Sequence, residues 1–143
     1  MNGATAEKLR LAGLKVLVID DSKTIRRTAE TLAQAERPLL LAGGGVIDGE
    51  ASAETVALAD LLGMALVPSY GHNDAVPNSH ALFVGTPGNR GAPEALEAIN
   101  RADVILALGS RLNQHTTHWN YSTISPKTCT TIAGERAARP IDQ

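Results

Sequence analysis

The chain has 143 residues, a formal net charge of −2 and one cysteine. This length favours a single domain, the charge offers no basic surplus for nucleic acid, and a lone cysteine cannot form an internal disulfide. Aromatic residues make up only 3%, so the core must be aliphatic, as is typical of helix-covered parallel sheets. Without a membrane-length apolar span or a recognisable signal peptide, the sequence predicts a cytoplasmic protein that does not contact a membrane.

Short apolar runs alternate with helical patterns along the chain. In chain order the sequence predicts a strand at Lys15–Asp20, a helix at Ser22–Ala35, a strand at Leu39–Ala42, a helix at Ala51–Leu62, a strand at Met64–Val67, a loop over 69–80, a short apolar run at Leu82–Val84, a helix that begins at Pro93, a strand at Asp103–Leu108 and a last strand at Thr130–Ile132. In the Pro93 helix, Leu96 and Ile99 are expected to face inward. This alternation predicts an α/β fold, a Rossmann-like, doubly wound, mostly parallel sheet with helices on both faces.

Glycines follow two of the predicted strands, where doubly wound sheets bind their ligands. The triplet Gly43, Gly44 and Gly45 could bring backbone N–H groups close to a phosphate, or could form a tight turn. A dinucleotide fingerprint would need a third glycine where Asp48 stands. Gly88 belongs to a second glycine-rich loop, which permits the same close approach. The sequence therefore leaves a nucleotide site and plain turns open as alternatives.

Histidines and aspartates supply the only candidate metal ligands, and their pattern is weak. His72 and His80 share one polar loop, where we expect them to be solvated, and His115 and His118 form a second pair. Zinc needs three or four clustered ligands, so zinc binding is not expected. The neighbouring acids Asp20 and Asp21 follow a strand and are a weak candidate site for Mg²⁺, the alternative being a helix cap and a solvated acid.

Residues 36–113 resemble the central domain of thiamine-diphosphate-dependent enzymes of the acetolactate synthase type. The matching stretches are Glu36-Arg37-Pro38-Leu39-Leu40-Leu41-Ala42-Gly43-Gly44-Gly45-Val46, Ala59-Asp60-Leu61-Leu62-Gly63, Ala75-Val76-Pro77-Asn78-Ser79-His80-Ala81-Leu82-Phe83-Val84-Gly85 and Ala102-Asp103-Val104-Ile105-Leu106-Ala107-Leu108-Gly109-Ser110-Arg111-Leu112. The segment Tyr70-Gly71-His72-Asn73-Asp74-Ala75 is most similar to the sulfoacetaldehyde acetyltransferase group. The resemblance implies a six-stranded parallel sheet with helices on both faces.

The same resemblance implies which cofactors belong to this kind of enzyme. In flavin-containing members the residues that match Gly43, Gly44, Gly45 and Arg111 contact FAD. The loop that contains Gly88 and the segment after Arg111 depart from those members, which leaves FAD open, and acetyltransferase-type members do not need it. Thiamine diphosphate and Mg²⁺ are held by other domains, whose Gly-Asp-Gly motif is missing here. We therefore expect no catalytic residue in this chain, no required cofactor, and a parent enzyme that forms homo-oligomers.

A second resemblance covers residues 13–32, which are similar to the first strand and helix of response-regulator receiver domains. There Asp20 and Asp21 match the acidic pair that binds Mg²⁺, but the phosphorylated aspartate and the late lysine of receivers have no counterpart. The chain is thus interpreted as a fragment or chimera, with a receiver-like unit at 1–35 on the same sheet, a central-type domain at 36–132 and an irregular tail at 133–143. The alternative is a degenerate receiver-like signalling or binding module.

Overall fold

A computed structural model describes residues 30–88, 90–110 and 112, together with the backbone of 129–132. Residues 30–34 are helical. The elements that follow are β1 (Pro38–Ala42), α1 (Gly44–Asp48), α2 (Ser52–Leu62), β2 (Ala65–Pro68), α3 (Pro93–Arg101), β3 (Val104–Leu108) and β4 (Cys129–Ile132). The order of strands and helices is that of the α/β fold predicted from the sequence.

The strands form one parallel sheet in the order β2-β1-β3-β4. Leu40 in β1 is level with Leu66 in β2 and with Leu106 in β3. The chain leaves β1 toward β2 on one side, and later returns to place β3 on the other side. The strand order therefore reverses between β1 and β3, which is where doubly wound sheets have their ligand crevice.

Both faces of the sheet are covered, which explains the continuous apolar runs. All five residues of β1 are buried. Leu40, Leu66 and Leu106 belong to a core cluster on one face, together with Leu32 from the helical residues 30–34. Leu41, Val67 and Ile105 belong to a separate cluster on the other face, together with Ile99 of α3. β-strands send alternate side chains to opposite faces, so a strand buried on both faces must be apolar throughout.

The side of helix α3 that faces the core differs from the prediction at one residue. It begins with Pro93 at its first turn, as expected, and its contact face is formed by the buried Ala95 and Ile99. Leu96 is 40% exposed, so the prediction that Leu96 faces inward is wrong. Residues four apart share a helix face, so Ala95 and Ile99 lie on the same side of α3. The start of the helix packs closely on Gly85, where an added Cβ would lie 2.5 Å from Cβ of Ala92 and 3.8 Å from Cβ of Ala95.

Other predictions agree with the structure to within a residue or two at the element ends, with two differences. Helix α1 was not predicted, because a helix of five residues that opens with two glycines has too short a pattern to detect. The apolar run at 82–84 forms a single parallel bridge from Phe83 to Leu66 and no strand. The predicted strand at 15–20, most of the helix at 22–35 and the tail lie outside the described residues. None of the helices in the described part of the chain is long and apolar enough to span a membrane.

Candidate functional site

The carboxyl ends of the three neighbouring strands β2, β1 and β3 lie at one edge of the sheet and are joined by backbone hydrogen bonds. The N–H of Gly43, just after β1, donates to the carbonyl of Leu108 at 2.8 Å. The N–H of Ser69, just after β2, donates to the carbonyl of Ala42 at 2.8 Å. Because the end of β2 donates to the end of β1, and the end of β1 donates to the end of β3, this edge is a continuous backbone network at the crevice position of the fold.

The glycine triplet packs directly against the turn that follows β3. A Cβ on Gly45 would lie 2.7 Å from the Cα of Gly109, and a Cβ on Gly43 would overlap the backbone of Gly109 and Ser110. Gly109 itself has a φ of +59°, which favours glycine. The N–H of Gly45 donates to the carbonyl of Gly109 at 3.0 Å. Gly43 and Gly45 therefore allow two backbones to touch, and their N–H groups are used inside the protein.

The middle glycine faces His72. A Cβ on Gly44 would lie 2.7 Å from Nε2 of His72, and its three nearest atoms would all belong to that imidazole. The other ring nitrogen, Nδ1, is 3.1 Å from the hydroxyl oxygen of Ser69. Ser69 is only 3% exposed. Ser69, directly after β2, thus holds the imidazole of His72 against the glycine turn after β1.

The second glycine-rich loop folds back on the start of α3. The N–H of Gly91 donates to the carbonyl of Gly88 at 2.9 Å, and the N–H of Ala92 donates to the carbonyl of Thr86 at 2.9 Å. Gly88 has a φ of +127°, a conformation that glycine adopts without strain. The hydroxyl of Thr86 donates to Oδ1 of Asn73 at 3.2 Å, which joins this loop to the loop after β2.

The two histidines of the polar loop serve different contacts, and the prediction that they are solvated is wrong. His80 Nε2 lies 3.0 Å from a carboxylate oxygen of Asp60 in α2. Its Nδ1 accepts the N–H of Leu82 at 3.1 Å. His72 is bound to Ser69 instead. Each imidazole ring therefore has polar partners within the protein, Ser69 for His72 and both Asp60 and Leu82 for His80, so neither ring is solvated on all sides.

Several candidate ligands lie outside the described residues: Asp20, Asp21, Arg111, His115 and His118. Within the described part of the chain, no three His, Cys, Asp or Glu residues are grouped so that they could hold a metal ion. The described residues thus do not fit a Mg²⁺-diphosphate group, and no thiamine step is assigned to them. A nucleotide site built from Gly43, Gly44, Gly45, Gly88 and Arg111 stays a prediction.

Sequence reasoning missed the two buried serines at this edge, Ser69 and Ser110. The hydroxyl of Ser110 accepts the N–H of Leu112 at 3.2 Å. Ser69 directly follows Pro68 at the end of β2, and Ser110 directly follows Gly109 in the turn after β3. This position just after a strand end is the sequence feature that could have identified both serines. A buried hydroxyl needs a partner, so a serine after a buried strand end is expected to bind a neighbouring turn.

A groove of about 460 Å³ lies at the opposite edge, beside α3. Its lining includes the apolar residues Leu39, Ala65 and Ala98 and the basic residues Arg37 and Arg101. Nε of Arg37 donates to the carbonyl of Arg101 at 2.8 Å. This edge contains the amino ends of the strands, so the groove lies on the side where doubly wound sheets do not form their ligand crevice.

Comparisons with known proteins agree with this architecture. A family model for the thiamine pyrophosphate enzyme central domain matches residues 25–140. The chain is 43% identical over 97 residues to a sulfoacetaldehyde acetyltransferase of Rhodobacter capsulatus, covering 68% of this chain and 16% of that protein. It is 46% identical over 93 residues to a probable sulfoacetaldehyde acetyltransferase of Rhizobium meliloti, covering 65% and 16%. It is 38% identical over 110 residues to an acetolactate synthase of Mycobacterium avium, covering 77% and 18%.

The chain therefore spans about a sixth of the length of these relatives. The family match begins before residue 36 and continues past residue 113, beyond both ends of the resemblance seen in the sequence. The parallel sheet, the strand reversal at the glycine turn and the extent of the match together show that this chain belongs to the thiamine pyrophosphate enzyme family, as a central domain.

Proposed function

We propose that this chain is the structural central domain of a thiamine-diphosphate-dependent carboligase or acetyltransferase and is not catalytic by itself. The observation that carries the proposal is the carboxyl edge of the sheet, where the fold would bind a ligand. There the N–H groups of Gly43 and Gly45 donate to the chain's own carbonyls, and His72 lies against Gly44. An edge filled by internal contacts supports a scaffold role.

The parent chemistry is proposed from the relatives. Both kinds of relative match about two thirds or more of this chain, and the sulfoacetaldehyde acetyltransferases have the higher identity, 43% and 46% against 38%. The loop that contains His72 also resembles that group. We propose an acetyltransferase as the parent enzyme, with thiamine diphosphate and Mg²⁺ held by its other domains and no need for FAD.

The test is an activity assay of the purified 143-residue chain. With sulfoacetaldehyde, phosphate, thiamine diphosphate and Mg²⁺, we expect no acetyl phosphate above the protein-free blank. The acetyltransferase from Rhodobacter capsulatus is the positive control in the same buffer. Acetyl phosphate formed by the chain alone would overturn the non-catalytic assignment.

The scaffold role is tested directly by transferring this domain into a related enzyme, which gives a grafted protein. Residues 25–140 replace the matching segment of the Rhodobacter capsulatus enzyme, and a second graft carries Leu40→Ala, which removes a core side chain. We expect the first graft to keep measurable activity and the second to lose activity together with its thermal stability. A well-folded first graft without activity would contradict the proposal that this domain supplies support alone.

A further inference from the structure

We propose that His72 closes the glycine turn after β1 and makes it inaccessible to the phosphate of a nucleotide. The proposal rests on the proposed scaffold function and deepens it by naming the side chain that decides it. The turn lies at the crevice position of the sheet, so it is the place in this fold where a nucleotide would be expected. What covers the turn therefore determines whether the domain binds a cofactor.

The three glycines of the turn face in two opposite directions. Gly43 and Gly45 face the turn after β3, and Gly45 would touch Gly109 if it carried a Cβ. Gly44 faces the other way, and the group it meets is the imidazole of His72. The outward side of the turn is thus covered by one side chain, while the inward side is covered by backbone.

The imidazole of His72 is held in place by Ser69. Ser69 is buried, and its hydroxyl lies 3.1 Å from Nδ1 of His72. The backbone N–H of His72 also donates to the carbonyl of Ser69 at 3.0 Å. Ser69 is in turn bound to the carbonyl of Ala42 at the end of β1. His72 is therefore anchored to the same strand whose turn it covers, so the cover does not depend on a mobile surface contact.

The ring of His72 leaves little space beside Gly44. The space between the turn and the ring is too small for one methyl group, since a Cβ would lie 2.7 Å from Nε2 and 3.0 Å from Cδ2. A phosphate is much larger than a methyl group. A nucleotide could bind this turn only if the imidazole moved away and its bond to Ser69 broke.

The experiment is a double-mutant cycle of Gly44→Ala and His72→Ala, measured by urea unfolding of the full chain. Contacting residues are coupled, whereas distant residues are additive. We expect Gly44→Ala to raise the unfolding equilibrium constant by a factor at least about tenfold larger when His72 is present than when alanine stands there. The matched control is the cycle of Gly44→Ala with His80→Ala, which we expect to be additive. If His72→Ala does not fold, His72→Asn takes its place. A cycle without coupling would overturn the proposal.

A binding measurement tests the functional consequence separately. Millimolar ADP is titrated into the 15N-labelled wild-type chain, and the amide signals of Gly43, Gly44 and Gly45 are followed. We expect these signals to stay in place. Saturable shifts at Gly44 would overturn the closure by His72 and support the predicted nucleotide site. Neither result alters the acetyl phosphate assay, so failure of this inference is distinguishable from failure of the proposed function.

Discussion

Both ring nitrogens of His80 have partners: Nδ1 binds Leu82 in the same loop after β2, and Nε2 joins that loop to Asp60 of helix α2. Because Nδ1 accepts the backbone N–H of Leu82, the neutral ring carries its proton on Nε2 and donates it to Asp60. The two hydrogen bonds of the His80 ring contribute differently to the stability of the fold. A backbone N–H that loses its acceptor in a partly buried place is costly, whereas Asp60, with a side chain 56% exposed, is easily hydrated. The bond to Leu82 is thus the more important one.

At this scale we predict unequal effects of two substitutions. His80→Ala should lower the free energy of unfolding by about 1 kcal/mol, because Leu82 loses its acceptor. Asp60→Ala should cost less, about 0–0.5 kcal/mol, as expected for an exposed ion pair. Urea unfolding of both variants at neutral pH measures the difference. An equal loss in the two variants would contradict this ranking.

At the scale of elements, the start of β1 is tied to the connection between α3 and β3. The carboxylate of Asp103 accepts the N–H groups of Glu36 at 2.7 Å and Arg37 at 2.9 Å. The N–H of Asp103 donates back to the carbonyl of Arg37 at 3.2 Å. Burial disfavours the charged carboxylate, but the N–H donors of Glu36 and Arg37, with those of Asp103 and Val104, outweigh it and lower the pKa of Asp103.

The lowered pKa of Asp103 determines the sign of its pH dependence. An acid whose pKa is lower in the folded state stabilises the fold above its unfolded pKa of about 3.9, and this stability is lost as the pH falls through the folded pKa. Asp103→Asn should therefore cost roughly 1 kcal/mol at neutral pH and less below about pH 4. Unfolding curves of both proteins across this range test the expectation. A constant difference at all pH values would show that the charge plays no part.

At the scale of the whole molecule, β1 joins two separate cores. Leu40 belongs to the cluster on one face and Leu41 to the cluster on the other. Both side chains are essentially buried, at 0% and 2% exposure. Because adjacent residues of one central strand serve both faces, neither core can be lost while the strand stays in place. The described part of the chain should therefore unfold as one unit.

We predict that Leu40→Ala and Leu41→Ala each lower the free energy of unfolding by about 2–5 kcal/mol. Each variant should show one transition, with the same denaturant dependence by circular dichroism and by the hydrogen exchange of amides in α2, which packs on one face, and in α3, which packs on the other. Leu96→Ala, at an exposed position of α3, is the control and should change stability by less than about 0.5 kcal/mol. Two separate transitions in either core variant would show that the faces unfold independently.

The amino-acid sequence by itself determined the positions of the strands and of most helices in the described part of the chain. Leu39–Ala42 and Val104–Leu108 are apolar throughout, and Pro93 begins a helix, so their local pattern is sufficient. Gly63, directly after α2, has a φ of +63°, the left-handed conformation that a glycine at a helix end commonly adopts. These features depend on residues close together in the chain, which is why a single sequence reveals them.

Only the tertiary structure decided what the glycine turn does. The contacts of Gly44 with His72 and of Gly45 with Gly109 join residues 28 and 64 positions apart. They depend on the register of β1 with β2 and β3 and on the approach of their backbones, which no local pattern encodes. The inward side of α3 was decided in the same way, by the packing that buries Ala95 and Ile99 and leaves Leu96 exposed. A glycine run in the sequence is compatible with an open cradle or a closed turn, and packing between distant strands selected the closed turn here.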